Sequence, residues 1–191
     1  AQFRGYAADI TRTYAAADGE FAALIAGMDA LQLRLCDAIR AGTDYRDVHL
    51  EAHGLIAALL AEAGIISCTA DEAVASGLSG VFFPHGIGHL LGLQVHDVAG
   101  LAASAQGGEI PRPAGHPYLR LTRCLEPGFV VTVEPGLYFI DLLLEQARAG
   151  AHERRIRWDA VERLRPYGGI RIEDDVVCTT GAPENLTRDA F

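Results

Sequence analysis

Val81-Phe82-Phe83-Pro84-His85-Gly86-Ile87-Gly88-His89-Leu90-Leu91-Gly92-Leu93-Gln94-Val95-His96-Asp97 is an apolar run broken by three histidines and by glycines such as Gly86 and Gly88 that nothing structural in the pattern requires. His89 stands four residues after His85 and seven before His96. That spacing departs from helical or strand periodicity and lets the three imidazoles gather around one concavity, so the stretch reads as the rim of a metal site. Carboxylates recur downstream in two equally unusual settings, Thr132-Val133-Glu134-Pro135-Gly136 and Gly168-Gly169-Ile170-Arg171-Ile172-Glu173-Asp174-Asp175. Together they point to a metallohydrolase.

The 191 residues are 50% hydrophobic and 21% charged, which suits a globular body with a sizeable core. A net charge of −9 and the absence of any Lys/Arg-rich block argue against nucleic acid or an acidic membrane surface as partner. No apolar run approaches the ~18 residues of a membrane span, and the first residues lack a signal-peptide pattern. Cys36, Cys68, Cys124 and Cys178 are widely spaced with no C-x-x-C pair, so free thiols in a reducing cytoplasm are expected.

Apolar positions Phe21, Leu24, Ile25, Met28, Leu31, Leu35 and Ile39 recur at helical spacing, predicting an amphipathic helix from Asp18 or Gly19 to about Arg40. Thr43 or Asp44 caps a second helix that runs to Gly64. From Gly80 onward the chain turns to short β-rich pieces, with core strands predicted over Phe129 to Glu134 and over Gly169 to Cys178. Phe3 to Tyr14 also reads as a strand, Gly100 to Pro117 as an irregular loop, and Leu142 to Arg165 as patchy helix. The order fits an α+β domain with helices backing a mainly antiparallel sheet.

Glu134 ends a run of mostly β-branched residues and is followed at once by Pro135-Gly136, a setting that suits a ligand or general base better than a solvated carboxylate. Asp9 lies among alternating apolar residues, where an isolated carboxylate is costly unless paired or bound to a cation, although taken alone an exposed strand position explains it better. Glu173 shares one strand face with Arg171, which taken alone reads better as a cross-strand salt bridge or a solvated sheet face. His49, His53, His116 and His152 are left unassigned as structural histidines. One histidine among several carboxylates favours Mn²⁺, Co²⁺ or Zn²⁺, and bridging carboxylates suit a two-metal centre. H-E-x-x-H, G-x-S-x-G, Walker and Rossmann signatures are missing.

Gly5-Tyr6 to Thr13, Pro84 to His89, Val95-His96-Asp97, Glu134-Pro135-Gly136 and Gly168 to Glu173 resemble, in order, the metal motifs of the pita-bread metallopeptidases, family M24. The likeness runs from Ala1 to Arg188 and is nearest to the Xaa-Pro dipeptidases of that family. It implies a pita-bread α+β domain with two divalent ions, Mn²⁺ first among them, held by two aspartates, a histidine and two glutamates. By resemblance Asp9 and Glu173 bridge the ions while His89 and Glu134 bind one of them. The family's first aspartate would fall about three residues before Ala1. Residues 1–191 are therefore expected to be most of a catalytic domain truncated at its N-terminal side, poorly active by itself, with a further N-terminal domain upstream and a homodimeric full-length protein.

The implied reaction is hydrolysis of Xaa-Pro dipeptides by a metal-bridging hydroxide. Glu134 would orient or deprotonate the water, His96 would stabilise charge on the scissile carbonyl, and His85 would sit beside the substrate. Arg120 matches the position that holds the substrate carboxylate, with Arg123 a competing candidate, and Arg171 matches a residue steadying the metal carboxylates. A phosphotriester hydrolase resembling organophosphorus acid anhydrolase uses the same ligands. A non-enzymatic pita-bread module would have lost them. Aminopeptidase P and methionine aminopeptidase share the ligand set, but Leu93 to Val98 and Tyr138-Phe139-Ile140 look more like the dipeptidases.

Overall fold

Arg4 and Gly5 both take positive φ, 51° and 88°, the two-residue turn that matches the twist of a tight hairpin. They join β1 (Gln2–Phe3) to β2 (Tyr6–Ala7) in a computed structural model that describes residues 2–190. The expected strand from Phe3 to Tyr14 is thus a hairpin followed by an extended segment. Only Thr11 makes a further bridge, to Glu173. The turn residues outweigh the apolar alternation.

Helix α1 (Glu20–Asp37) buries Phe21, Leu24, Met28, Leu31 and Leu35, and ends ahead of Gly42. Helix α2 (Tyr45–Glu62) starts at Asp44, whose carboxylate accepts the Arg46 N–H at 2.9 Å. The short α3 (Ala70–Ala75), which periodicity over six residues does not reveal, begins with a Thr69/Glu72 capping box. Helix α4 (Ser79–Phe82) then opens the region expected to be β-rich and leads into the histidine segment. Met28, Leu35, Ile56 and Leu60 are fully buried in the joint core of these helices. Each contributes roughly 1.5–3 kcal/mol of hydrophobic stabilisation.

Strands β3 (Ala102–Ser104) and β4 (Gly107–Glu109) make a hairpin inside the expected loop. Strand β5 (Val130–Val133) leads through Glu134-Pro135 to β6 (Gly136–Tyr138). After α5 (Asp141–Arg148) and α6 (Trp158–Leu164) come β7 (Gly169–Arg171), β8 (Asp174–Val177), β9 (Glu184–Asn185) and α7 (Leu186–Asp189). The single strand expected from Gly169 to Cys178 is two. Strand β7 pairs with β6, Gly136 opposite Arg171, and β8 pairs with β5, Val133 opposite Asp174. The chain changes partner at Ile172-Glu173, which leaves Glu173 at the seam.

All five strand pairings among the described residues are antiparallel, and α1 packs on β5 and β7, as the α+β reading expects. No helix among them is long and apolar enough to cross a membrane.

The histidine stretch lies along the free edge of β5. Glu134 N–H donates to Ile87 O at 2.8 Å, Thr132 N–H to His89 O at 3.0 Å, and Leu91 N–H to Val130 O at 2.9 Å. That close approach corrects the view that its glycines have no structural cause. A Cβ on Gly88 would collide with Thr132 O and the Tyr45 hydroxyl, and one on Gly86 would press on the Leu119 backbone at 2.9 Å.

Candidate metal centre

Three elements deliver acidic side chains to one place: the segment after β2 supplies Asp9, the end of β5 supplies Glu134, and the β7–β8 seam supplies Glu173. His89 reaches the same place from the β5 edge. Thr132 fixes it there, because its Oγ1 accepts the His89 N–H at 3.0 Å. Ligand atoms of Asp9, His89 and Glu173 all lie within 4.8 Å of one another. Glu134 falls outside that trio but places Oε1 3.5 Å from His89 Nε2.

His89 Nδ1 lies 2.9 Å from Leu90 O, which can only accept, so Nδ1 carries the proton. Nε2 then presents a lone pair. It is buried without a hydrogen-bond partner, yet faces Asp9 Oδ2 at 3.6 Å and Glu134 Oε1 at 3.5 Å. Protonation could turn these contacts into ion pairs, but burial lowers the His89 pKa, against its contact with Leu90 O. A lone pair set against two carboxylates in a buried site is repulsive, and a cation among them makes it attractive.

The carboxylates carry the same signature. Burial, then the charges of Glu173 and Asp9, hold Glu134 at about 7, with Arg171 pulling it down. Burial also raises Glu173, with Asp9 adding to it and the Thr11 hydroxyl, donating at 2.5 Å, opposing it. Asp175, which sequence reasoning left without a role, is held at about 7 chiefly by burial. Its Oδ1 is buried and unpartnered, while Oδ2 accepts the Asp9 N–H at 3.3 Å. Neighbouring Asp174 behaves oppositely. Burial pushes it up, but donors from Arg188, Asn185 and Arg12 outweigh that and leave it low, a structural anion fully paired beneath the centre.

Beside this cluster opens a cavity of about 590 Å³ lined by His85, His96, Arg120, Glu134 and Arg171, with Pro84, Arg112, Pro117 and Tyr118. A second opening of about 470 Å³ adds His89 and shares His96, Arg112 and Arg120. Arg123 lines neither; it pairs with Glu126 at 2.8 Å. His96 stands edge-on to His89, ring centroids 4.4 Å apart. Burial lowers His85 to about 4, so it is neutral at pH 7, with Nδ1–H donated to Gly86 O at 2.7 Å. Arg171 reaches Glu134 Oε2 at 3.3 Å and donates from Nε to the Tyr138 hydroxyl at 2.7 Å, which lies 3.1 Å from His85 Nε2.

The structure therefore brings Asp9, His89, Glu134 and Glu173 together, and places His85, His96, Arg120 and Arg171 around the adjoining cavity. Sequence reasoning missed Thr11, Thr132, Tyr138 and Asp175. All four stand in stretches that the sequence singles out, but only Asp175, in the acidic run after Glu173, is of a residue type that itself suggests a ligand.

The sequence matches the model of metallopeptidase family M24 over residues 1–180. It is 60% identical over 192 aligned positions to the Xaa-Pro dipeptidase of Xanthomonas campestris pv. campestris (strain B100), covering 100% of this chain and 44% of that protein. Among solved structures, aminopeptidase P from E. coli with the inhibitor Pro-Leu is similar, with TM-score 0.71 and 30% identity over 99% of this chain and 36% of that one. Zn-substituted E. coli aminopeptidase P in complex with product gives TM-score 0.63 at 32% identity, over 98% and 36% of the two chains. The chain thus spans less than half the length of these relatives.

Proposed function

We propose, from the premise that this chain belongs to metallopeptidase family M24 and has its pita-bread fold, that the protein hydrolyses Xaa-Pro dipeptides at a centre of two divalent metal ions. The observation that carries the reading is the unshared lone pair of His89 Nε2, buried between the carboxylates of Asp9 and Glu134. This donor set fits hard or borderline ions, Mn²⁺ first, held by Asp9, His89, Glu134 and Glu173. Bound there, the ions would neutralise the carboxylates and make hydroxide available near neutral pH.

The side chains divide the remaining work. Glu134 accepts the proton of the attacking water and is held in place by Arg171, which Tyr138 in turn orients. His96 faces the cavity beside His89 and donates to the oxygen on which charge develops. His85, neutral and fixed by Gly86 O, lines the substrate side with Pro84, Pro117 and Tyr118, an apolar wall suited to a pyrrolidine ring. Arg120 supplies the guanidinium for the substrate's carboxylate. The identity shared with Xaa-Pro dipeptidases favours the dipeptide over longer substrates. Cys36, Cys68, Cys124 and Cys178 are unpaired in the structure.

The test is an assay of the full-length protein with Mn²⁺ on a Xaa-Pro dipeptide, a Xaa-Pro tripeptide and a fluorinated phosphotriester. Turnover is expected to be fastest on the dipeptide. Preference for the tripeptide overturns the dipeptidase reading, and preference for the phosphotriester moves the site to that class.

A further inference from the structure

His49 and His53, left as structural histidines by the sequence, stand one helical turn apart on α2 and meet His116 from the loop before Tyr118. We propose that these three imidazoles form a second metal site, separate from the carboxylate centre, that takes a single borderline divalent cation such as Zn²⁺ and ties α2 to the wall of the substrate cavity.

The ring centroids make a nearly equilateral triangle: 4.8 Å from His49 to His53, 4.7 Å from His49 to His116 and 4.6 Å from His53 to His116, each pair edge-on or steeply inclined. Three imidazoles on one tetrahedral ion at ~2.0–2.1 Å place their centroids ~5 Å apart and their ligand nitrogens ~3.3 Å apart. His49 Nε2 and His116 Nδ1 are already 2.9 Å apart, and ligand atoms of all three residues lie within 4.8 Å. The His-x-x-x-His spacing on α2 puts two ligands on one face, and the loop adds the third.

His49 Nε2 and His116 Nδ1 hydrogen-bond to each other, and no carboxylate or carbonyl competes for them among the described residues. Ser79 Oγ engages His53 Nδ1 at 3.0 Å and so leaves Nε2 as the His53 nitrogen available for an ion, as an outer partner of a metal-bound histidine does. His49 Nδ1 is buried with no partner. Burial lowers His49 to about 2 and His53 to about 3, and lowers His116 as well, so the rings are neutral, the form that binds metal. A cavity of about 30 Å³ between the three rings, Phe83 and His85 has room for one small occupant. Pro117 and Tyr118 line both this cavity and the larger one, so an ion here would stiffen the loop leading to Arg120.

The experiment is metal analysis of the full-length protein after equilibration with Zn²⁺ and dialysis into metal-free buffer, with circular dichroism to confirm folding. His116→Gln, whose side chain comes from a half-buried loop rather than a core helix, is expected to bind one Zn²⁺ per chain fewer than wild type, and His53→Gln the same. An Asp9→Asn/Glu173→Gln variant, which weakens the carboxylate centre, is expected to keep one tightly held Zn²⁺ that adding His116→Gln removes. Wild-type stoichiometry in folded His116→Gln, or no difference in Zn²⁺ content between the double and triple variants, overturns the proposal. These outcomes are independent of peptidase activity.

Discussion

Glu134 offers a quantitative test of the charge crowding at the centre. Only 8% of it is exposed, and burial with the nearby Glu173 and Asp9 charges holds its carboxyl at about 7 against an ordinary 4.5. Below pH 4.5 folded and unfolded chains both carry the proton, and the group is neutral to stability. Between 4.5 and 7 the unfolded chain ionises first, so stability falls as pH rises; above 7 the whole penalty is present. The span from 4.5 to 7, at 1.36 kcal/mol per pH unit, amounts to about 3 kcal/mol.

Glu134→Gln keeps the shape and removes the titration. Without metal, the variant is expected to match wild type near pH 4.5 and to exceed it at pH 8 by about 3 kcal/mol, or ~6–12 °C in Tm for a chain of this size. Adding Mn²⁺ at a hundredfold excess over Kd stabilises wild type by about 2.7 kcal/mol and the variant by less, which erases or reverses the order. The assay is thermal unfolding by circular dichroism after chelation, at both pH values, with and without Mn²⁺. An equal gain for Glu134→Gln at pH 4.5 and pH 8, or wild type ahead at pH 8 without metal, would refute the reasoning.

Arg120→Ala is expected to raise KM for a Xaa-Pro dipeptide roughly 10- to 100-fold through loss of a charge-assisted contact, with a smaller change in kcat. Steady-state kinetics on the dipeptide and its C-terminal amide check this, since the amide should be indifferent to the change. Tyr138→Phe removes the hydroxyl between Arg171 and His85. It should lower kcat about tenfold with metal content unchanged, as elemental analysis alongside the kinetics would read out. Gly88→Ala forces a Cβ into Thr132 O and the Tyr45 hydroxyl, and a loss of at least about 3 kcal/mol is expected in denaturant unfolding.

What could be read from the sequence follows from how local each feature is. Helices α1 and α2 were legible because Met28, Leu31 and Leu35, or Val48, Ile56 and Leu60, repeat within one element and face one core. The break between β7 and β8 was not. The alternation of Ile170, Arg171, Ile172 and Glu173 continues through it, while the hydrogen-bonding partner switches from β6 to β5. Only the tertiary fold contains that switch, and it is what sets Glu173 at the seam within reach of Asp9 and His89. The same division runs through the site. Histidines and carboxylates in unusual local settings announce themselves, but the hydroxyls that aim them, Thr11 on Glu173, Thr132 on His89 and Tyr138 on Arg171, come from strand or extended positions where threonine and tyrosine are ordinary residues. His116 belongs to this second class. The pair on α2 has ligand spacing by itself, yet its third member lies 63 residues beyond His53 in sequence. A site assembled across such a gap is visible only once the loop has folded back onto the helix.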